Sequence, residues 1–581
     1  MKPRILLMIS MVTATAAVTL YSCKSDFLNQ LPQGVYDLAS LNNKKGLDGM
    51  LINAYATLDG QEGNQNGGAS NWLWGSIRGG DAYKGTEPTD MVDANPVMRF
   101  EILPGGNGQL DIKFAAIWDG VGEANVVLKN LPNVKDITPA QAKQVEAEAK
   151  FLRAFQHFEG KKAFGNIPYL DETIEDFKVP NTVGGAYVNI WPKIEADFKF
   201  AYDNLDETVA NVGRANKWAA AAFLAKAYMY QNKFAEAKAL FDLIIANGKT
   251  SRGIKYDLTP NYHTNFRALT ENNQETVFSI QASYGDGSNT NGNYDNTLNY
   301  PHGGSATTEK PGACCGFFQP SQNLVNSYRT DAAGLPMPDT YDNVNVTSDE
   351  LVASSQPFTP YAGTLDPRLD WTVGRRGIPY YDWGVHPGRD WIRKVDYGGP
   401  YSPKKNTYYK ADIGSIAGTV GWGFANNALN YTPMRFADVL LMAAEAEIEV
   451  GSLTKAREYI NRVRVRAAAS PVLNGATNAA NYVVGQYTSE FPSKEEARKI
   501  VRFERKLELG MEGHRFFDLV RWGIADVELN AYLTKEGTRR VEALGGAKFV
   551  KGKHEYLPIP AYAITQSIKD GAPTLKQNPG Y

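Results

Sequence analysis

Apolar residues recur at roughly helical spacing along residues 494–522, at Ile500, Phe503, Leu507, Leu509, Met511, Phe516, Leu519 and Val520, with Arg and Glu filling the intervals. No proline interrupts the stretch, so the pattern predicts one amphipathic helix. The charges obey the same geometry. Glu504, Glu508 and Glu512 lie four apart on one face, with Arg502, Arg505, Arg515, Asp518 and Arg521 placed to pair with them or with a neighbouring helix. Helix-solvating and interhelix ion pairs are the expected role. There is no HExxH, and His514 has no second His within a turn, so a zinc site is not predicted.

Similar periodicity predicts helices over 41–58, ending at Gly60, over about 110–131, from Thr138-Pro139 to Phe164, and over 191–202. Between residues 217 and 247, Leu224, Ala225 and Tyr228 followed by Ala237 and Phe241 match the tetratricopeptide alternation of small and large residues that lets paired helices nest. A weaker second copy places Ala443, Ala444, Ala456 and Ile460 at comparable offsets across Gly451. Such pairs bury too little surface alone and stack on neighbours. The expected stack runs through 140–164, 191–247, 436–469 and 494–522, closed by an extended C-terminal tail. The fold class read from this is mainly α, a tetratricopeptide-like helical-pair scaffold with long irregular loop insertions carrying the binding face.

Two regions refuse helical periodicity, residues 60–108 and 252–430, both dense in Gly, Asn, Tyr and Trp. Loops this long inside a domain are either functional or disordered, and their aromatic content argues against disorder. Three clusters put flat rings beside hydrogen-bonding groups: Trp72, Trp74, Arg78 and Asp81; then Tyr284, Tyr294, Asn299 and Tyr300; then Tyr381, Trp383 and Trp391. A saccharide presents apolar C–H faces and vicinal hydroxyls, so it needs an aromatic face together with Asn, Asp or Arg. The competing role is structural, with loop aromatics pinning the loops to the core. Asp366 and Arg368 of DPRLDW are expected to form a structural ion pair. Acidic loops lack the spaced acids of an EF-hand, so no metal and no cofactor are predicted.

Composition is ordinary for a globular chain of 581 residues, 43% hydrophobic and 21% charged. The net charge of −2 becomes −4 without residues 1–22, whose only charges are Lys2 and Arg4. Nucleic acid is not an expected partner of a chain with net negative charge. Residues 1–22 have the charged head, short apolar run and small residues of a secretion signal. The ending Leu20-Tyr21-Ser22-Cys23 resembles a lipobox, which implies a mature N-terminus at Cys23 acylated with palmitate-type chains, followed by a polar tether over 23–40. Several buried acyl chains, at about 0.8 kcal/mol per methylene, give stable anchoring. Adjacent Cys314 and Cys315 are read as a vicinal disulfide, as two buried thiols, or as part of a binding loop.

Four stretches carry a resemblance: RFERKLELGMEGHRFFDLVRWG at 502–523, YTPMRFADVLLMAAEAE at 431–447, AEAKFLRAFQHFEGKKAFGNIPY at 147–169, and the closing LPIP and LKQNPGY between 557 and 581. Together, and in this order, they resemble the SusD/RagB family, lipid-anchored nutrient-binding proteins of Gram-negative outer membranes. The resemblance implies a helical region with tetratricopeptide-like pairs over 41–250, a loop-rich ligand-binding region over 251–430, and a C-terminal helical region with its tail over 431–581. It implies a ligand site built from loops on one face, including the loop after the first helix.

The resemblance further implies a non-catalytic glycan-binding lipoprotein, attached to the outer membrane through its N-terminal lipid and facing the exterior. Its expected partner is a SusC-like TonB-dependent transporter, which receives the captured oligosaccharide. A peptide-binding RagB-like protein in the same transporter-cap role is the first alternative. A surface glycoside hydrolase is the second; it needs two carboxylates facing one bond, and no recognisable motif supplies them.

Overall fold

Helix α1 (Lys44–Ala56) begins where the Asn43 side chain accepts the Gly46 N–H, and it buries Leu47, Leu51 and Ala54 on one face. It leans on α2 (Gly108–Asn130), the second strut of a helical body that continues through α3 (Pro139–Phe164), α4 (Trp191–Asn204), α5 (Lys217–Met229) and α6 (Phe234–Asn247). Each of these packs on the one before it, and α6 then packs on α7 (Phe436–Val450), α7 on α8 (Leu453–Ala468), and both on α9 (Lys494–Glu508). The computed structural model describes residues 41–60, 66–285, 297–303, 310–311, 315–418 and 427–581.

The expected helical-pair stack is therefore present in the expected order. In α5 and α6 the small residues Ala225 and Ala237 sit beside Leu224 and Phe241, all buried, which lets the two axes approach closely. A capping box between Thr138 and Gln141, with Pro139 in the first turn, fixes the start of α3. At the heart of the body Phe151, Phe155, Phe198 and Phe223 pack edge-to-face and stacked, with centroids 5.3 to 5.9 Å apart for the contacts of Phe223. Each such buried side chain contributes about 1.5–3 kcal/mol.

Two short antiparallel pairings stitch the loop regions to this body. Strand β1 (Ala82–Gly85) pairs with β3 (Phe317–Pro320), joining the first loop region to the second. Strand β2 (Thr276–Ile280) pairs with β4 (Tyr431–Arg435), and Phe278 of β2 enters the phenylalanine cluster 5.0 Å from Phe151. The loops thus rest on the helices through specific packing.

One expectation is corrected. Residues 494–522 form two helices, α9 and then α10 (Arg515–Arg521), separated by a tight turn in which Met511 and Gly513 take left-handed backbone angles, φ 66° and 77°. The turn is held from far away in the chain. Asp81 accepts the Met511 N–H at 3.1 Å, and the Ser76 hydroxyl accepts the Gly513 N–H at 2.9 Å. Gly513 is required here, since a Cβ would lie 2.1 Å from the Ser70 carbonyl oxygen. A further helix, α11 (Ala525–Arg539), follows.

The glutamates of the same stretch are buried ion-pair partners, not solvating groups. Glu504 and Glu508 receive Arg368, which also holds Asp366 at 2.7 Å, and Glu508 and Glu512 receive Arg435. The Asp366–Arg368 pair expected from the sequence is present, buried at the centre of this network.

Candidate functional site

The turn between α9 and α10 forms the floor of a cleft. Above Met511 and Glu512 stand Phe266, Asn406, Asn430 and Tyr431, which line both of its lobes. The first lobe adds Trp72, Glu271 and Asn299, the second ends at Arg435 and Glu512, and each is narrow, about 20 Å³.

Each lining residue is held by a specific neighbour. Tyr431, the first residue of β4, donates its hydroxyl to the Glu512 carbonyl at 3.1 Å. Lys405 donates to the Gly510 carbonyl at 2.7 Å and to the Glu512 carboxylate at 2.8 Å, which fixes neighbouring Asn406 at the rim. Phe266 ends a 3-10 turn that starts at Tyr262, and Lys405 sits 4.7 Å from its ring. The turn is anchored below by the Tyr262 hydroxyl, which donates to the Glu508 carbonyl at 2.9 Å.

The polar groups in the cleft are mostly amides. Asn299 is buried, and its side-chain carbonyl oxygen has no hydrogen-bond partner. A buried acceptor left unmatched costs about 1–3 kcal/mol. Glu271 accepts one hydrogen bond, from the Asn430 N–H at 2.7 Å, and burial pushes its carboxyl up to about 8. The other carboxylate among the described lining residues, Glu512, has its oxygens taken by Arg435 and Lys405.

Beside the cleft stands a ladder of rings. His263 stacks on Trp371 at 4.5 Å with an 8° tilt and on Tyr381 at 4.7 Å, and Tyr381 stacks on Tyr409 at 4.6 Å. Arg267 closes the ladder 4.4 Å from the Tyr409 ring. Burial and the nearby Lys404 and Arg267 charges bring the His263 imidazole down to about 3, so it is a neutral plate in the stack. These rings spend their faces on one another. The ladder acts as a prop that fixes the segment carrying Phe266.

The residues expected to meet ligand are distributed unevenly. Trp72 and Asn299 line the cleft, although both are almost wholly buried. Trp74, Arg78 and Asp81 lie in the interior: the Trp74 indole donates to the Asn66 carbonyl at 2.9 Å, Arg78 donates to the His554 carbonyl at 2.7 Å and lies 4.1 Å from the Phe516 ring, and Asp81 holds the Met511 turn. Their role is to join the first loop region to the α9–α10 turn, so the expectation that they face a ligand is corrected. Tyr300 is buried behind the cleft against Tyr408 and accepts the Asn427 amide. Trp391 is buried edge-on to Tyr380, Tyr381 is a rung of the ladder, and half-buried Trp383 donates to the Tyr408 carbonyl. Tyr284 is half-buried. Tyr294, Cys23 and Cys314 lie outside the described residues; Cys315 is disulfide-bonded.

Phe266, Glu271, Asn406, Asn430 and Tyr431 were not singled out from the sequence. The density of rings and amides in residues 261–273 is the signal that marks the first two. A second, much larger hollow of about 580 Å³ runs along α2 between Trp118, Tyr562 and Phe177, the last of these 70% exposed. Among the described residues no group of three or more His, Cys, Asp or Glu could hold a metal ion, and no helix is long and apolar enough to cross a membrane.

Comparison with known proteins places the chain among relatives. Residues 274–581 match a family model described as the SusD family, and residues 26–229 match one described as starch-binding and associating with the outer membrane. A SusD-like protein of Formosa agariphila is 26% identical over 492 residues, covering 82% of this chain and 81% of that one. A SusD-like protein of Bacteroides ovatus is 23% identical over 601 residues, covering 96% and 93%. Among solved structures, a laminarin-binding SusD-like protein superposes with a TM-score of 0.63 at 22% identity, over 93% of this chain and all (100%) of that one. Surface glycan-binding protein A from Bacteroides thetaiotaomicron, solved in complex with laminarihexaose, gives 0.65 at 20% identity over 92% and 99%.

Proposed function

The chain belongs to the SusD family, and from that premise we propose that it is a cell-surface lipoprotein that captures glycan and passes it, uncut, to a SusC-like TonB-dependent transporter in the outer membrane. The observation that carries the glycan reading is the cleft over the α9–α10 turn. It sets the rings of Phe266 and Tyr431 among the amides of Asn299, Asn406 and Asn430. Flat apolar faces beside paired donors and acceptors match the C–H faces and hydroxyls of a sugar. The laminarin and laminarihexaose partners of two similar structures support the same ligand class.

The carboxylates of the described lining support binding without cleavage. Hydrolysis needs an acid and a second carboxylate free to act as nucleophile or base. Among the described lining residues Glu271 is a single uncharged carboxyl, and Glu512 is neutralised by Arg435 and Lys405. Anchoring through acylated Cys23 and delivery to a barrel partner are supported by the lipobox-like sequence and by the outer-membrane description of the family model matched over residues 26–229.

A panel of plant, algal and host glycans tests this reading. The mature protein should be retarded in gels containing at least one polymer and should release no reducing ends from it. New reducing ends, or retardation by none of the panel, would remove the proposal.

A further inference from the structure

We infer that a hollow where α6, α7, α9 and α10 meet binds small organic monocarboxylates through Arg502. It shares no lining residue with the cleft over the α9–α10 turn, so the inference stands apart from glycan capture.

The hollow, about 370 Å³, lies in the range of small-ligand sites. Phe234 at the start of α6, Val501 of α9 and Val520 of α10 give it an apolar wall, which the ring of Trp522 completes. Most of the charges around it are matched. Arg498 grips Glu449 with two parallel hydrogen bonds, at 2.6 and 2.7 Å, and Arg521 grips Glu445 in the same way, both at 2.7 Å. The Trp522 indole also donates to Glu445, at 3.0 Å.

Arg502 is the exception. Arg505, Arg515, Asp518 and Arg521 of the same stretch all form ion pairs, whereas Arg502 forms no ion pair and no hydrogen bond among the described residues. Its guanidinium lies 5.2 Å from the centre of the Trp522 ring. A ring stabilises the cation, yet it offers no lone pair to the five N–H donors. Arg521 and Arg515 approach the same ring, at 4.9 and 6.0 Å, so positive charge is concentrated there. Burial pushes the Arg502 pKa down, Glu445 offsets part of this, and Arg521 and Arg498 push it down further. The site is short of negative charge.

A ligand carboxylate answers each feature. Three arginines and two glutamates line the hollow, and one monoanion cancels the surplus. The two oxygens of a planar carboxylate accept two parallel N–H bonds from one guanidinium. A dianion gains less, because its second charge would stand beside Glu445 and Glu449. The apolar wall suits a compact carbon body on the acid, whether the ring of an aromatic acid or the C–H face of a uronic acid.

Isothermal titration of the mature chain with benzoate, glucuronate, benzamide and inorganic sulfate tests the inference. At least one of the two acids should bind with a dissociation constant of about 1 mM or tighter, and which one does so identifies the source of the carboxylate. Benzamide, which has the shape of benzoate without its charge, should bind at least tenfold more weakly, and sulfate more weakly than the acid. Arg502→Gln should weaken the acid at least tenfold. Arg502→Lys keeps the charge and loses the fork, and should fall between parent and Arg502→Gln. Failure of both acids to bind the parent, benzamide binding as tightly as benzoate, or sulfate binding more tightly than either acid would overturn the inference. So would unchanged acid binding by a folded Arg502→Gln protein. Should that variant not fold, the comparison of the four probes on the parent and on Arg502→Lys decides in its place.

Discussion

Arg435 grips Glu512 with two parallel hydrogen bonds, Nε to Oε2 at 2.9 Å and Nη2 to Oε1 at 3.0 Å, and by doing so ties strand β4 to the α9–α10 turn. The same guanidinium reaches Glu275 and Glu508, so one side chain joins the loop sheet, the turn and α9. Tyr431 at the other end of β4 faces the cleft, and the pair therefore sets the cleft's width as well as its floor.

Replacing Arg435 by Ala leaves three buried carboxylates short of a partner. Breaking one side of a buried network of this kind costs about 3–5 kcal/mol. Urea denaturation of Arg435→Ala should show a midpoint lowered accordingly, with glycan affinity falling in parallel. An unchanged midpoint would show that the network carries no stability.

The same network predicts sensitivity to acid. Burial pushes Glu508 up, but Arg466, Arg435 and Arg368 outweigh it and hold the group far below the usual carboxylate range. Glu512 is held down by Arg435 and Lys405, and Asp518 is held at about 2 by Arg505 and Arg521. A carboxylate depressed in the folded state stabilises the fold above its unfolded value, about 3.9–4.3, and loses that contribution as pH falls through the folded value. The network's contribution should be level from pH 7 to about 5 and decline continuously from about 4 towards 2. Charging of buried His263, held at about 3, adds a separate loss below about 6.5, and Glu271, raised to about 8, adds an opposing gain. Urea midpoints recorded across that span check it, and a flat profile between pH 4 and 2.5 would contradict the assignment.

Trp74 fixes a contrast between core and site. Its indole is buried and bonded to Asn66, so Trp74→Ala should cost about 3–5 kcal/mol, as large-to-small core changes do. Gly513→Ala should also destabilise strongly, since the new Cβ would meet the Ser70 carbonyl at 2.1 Å in a left-handed turn. Differential scanning calorimetry of the two variants decides it. A Trp74→Ala protein with native stability and lost glycan binding would restore the ligand role expected from the sequence.

The helical body was legible because its pattern is local: caps such as Thr138, and small–large alternation such as Ala225 against Phe241, lie within one or two turns. The break in 494–522 was not, because Met511 and Gly513 are turned by hydrogen bonds from Asp81 and Ser76, residues hundreds of positions earlier in the chain. Periodicity carries no information at that separation. The loop aromatics failed for a related reason. Composition announces that Trp74 and Phe266 are rings in irregular chain, yet whether a ring faces inward depends on the partner that covers it, Asn66 and its surroundings for one and open cleft for the other. Tyr431 sat inside a recognised stretch and was read as part of a signature; only the pairing of β4 with β2 shows that it faces the cleft.

Cys23→Ala tests the anchor independently of the cleft. The substitution removes the acceptor for acyl chains, whose methylenes supply the membrane affinity at about 0.8 kcal/mol each. The variant should fold, bind glycan as the parent does and appear in the soluble fraction. Tight membrane association of Cys23→Ala cells' product would refute lipid anchoring at this residue.

Phe266 offers the most direct separation of the cleft from the other hollow. It is half-buried and lines both lobes, so truncation removes a sugar-stacking face with modest loss of packing. Loss of one such contact, about 1.4 kcal/mol, corresponds to a tenfold change in affinity. Phe266→Ala should therefore weaken glycan binding at least tenfold with a melting temperature lowered by only a few degrees. Trp118→Ala, in the hollow along α2, should leave affinity unchanged. The reverse outcome would move the ligand site to that hollow, because Trp118 and Tyr562 also present rings there, and affinity measurements on the two variants side by side discriminate between the positions.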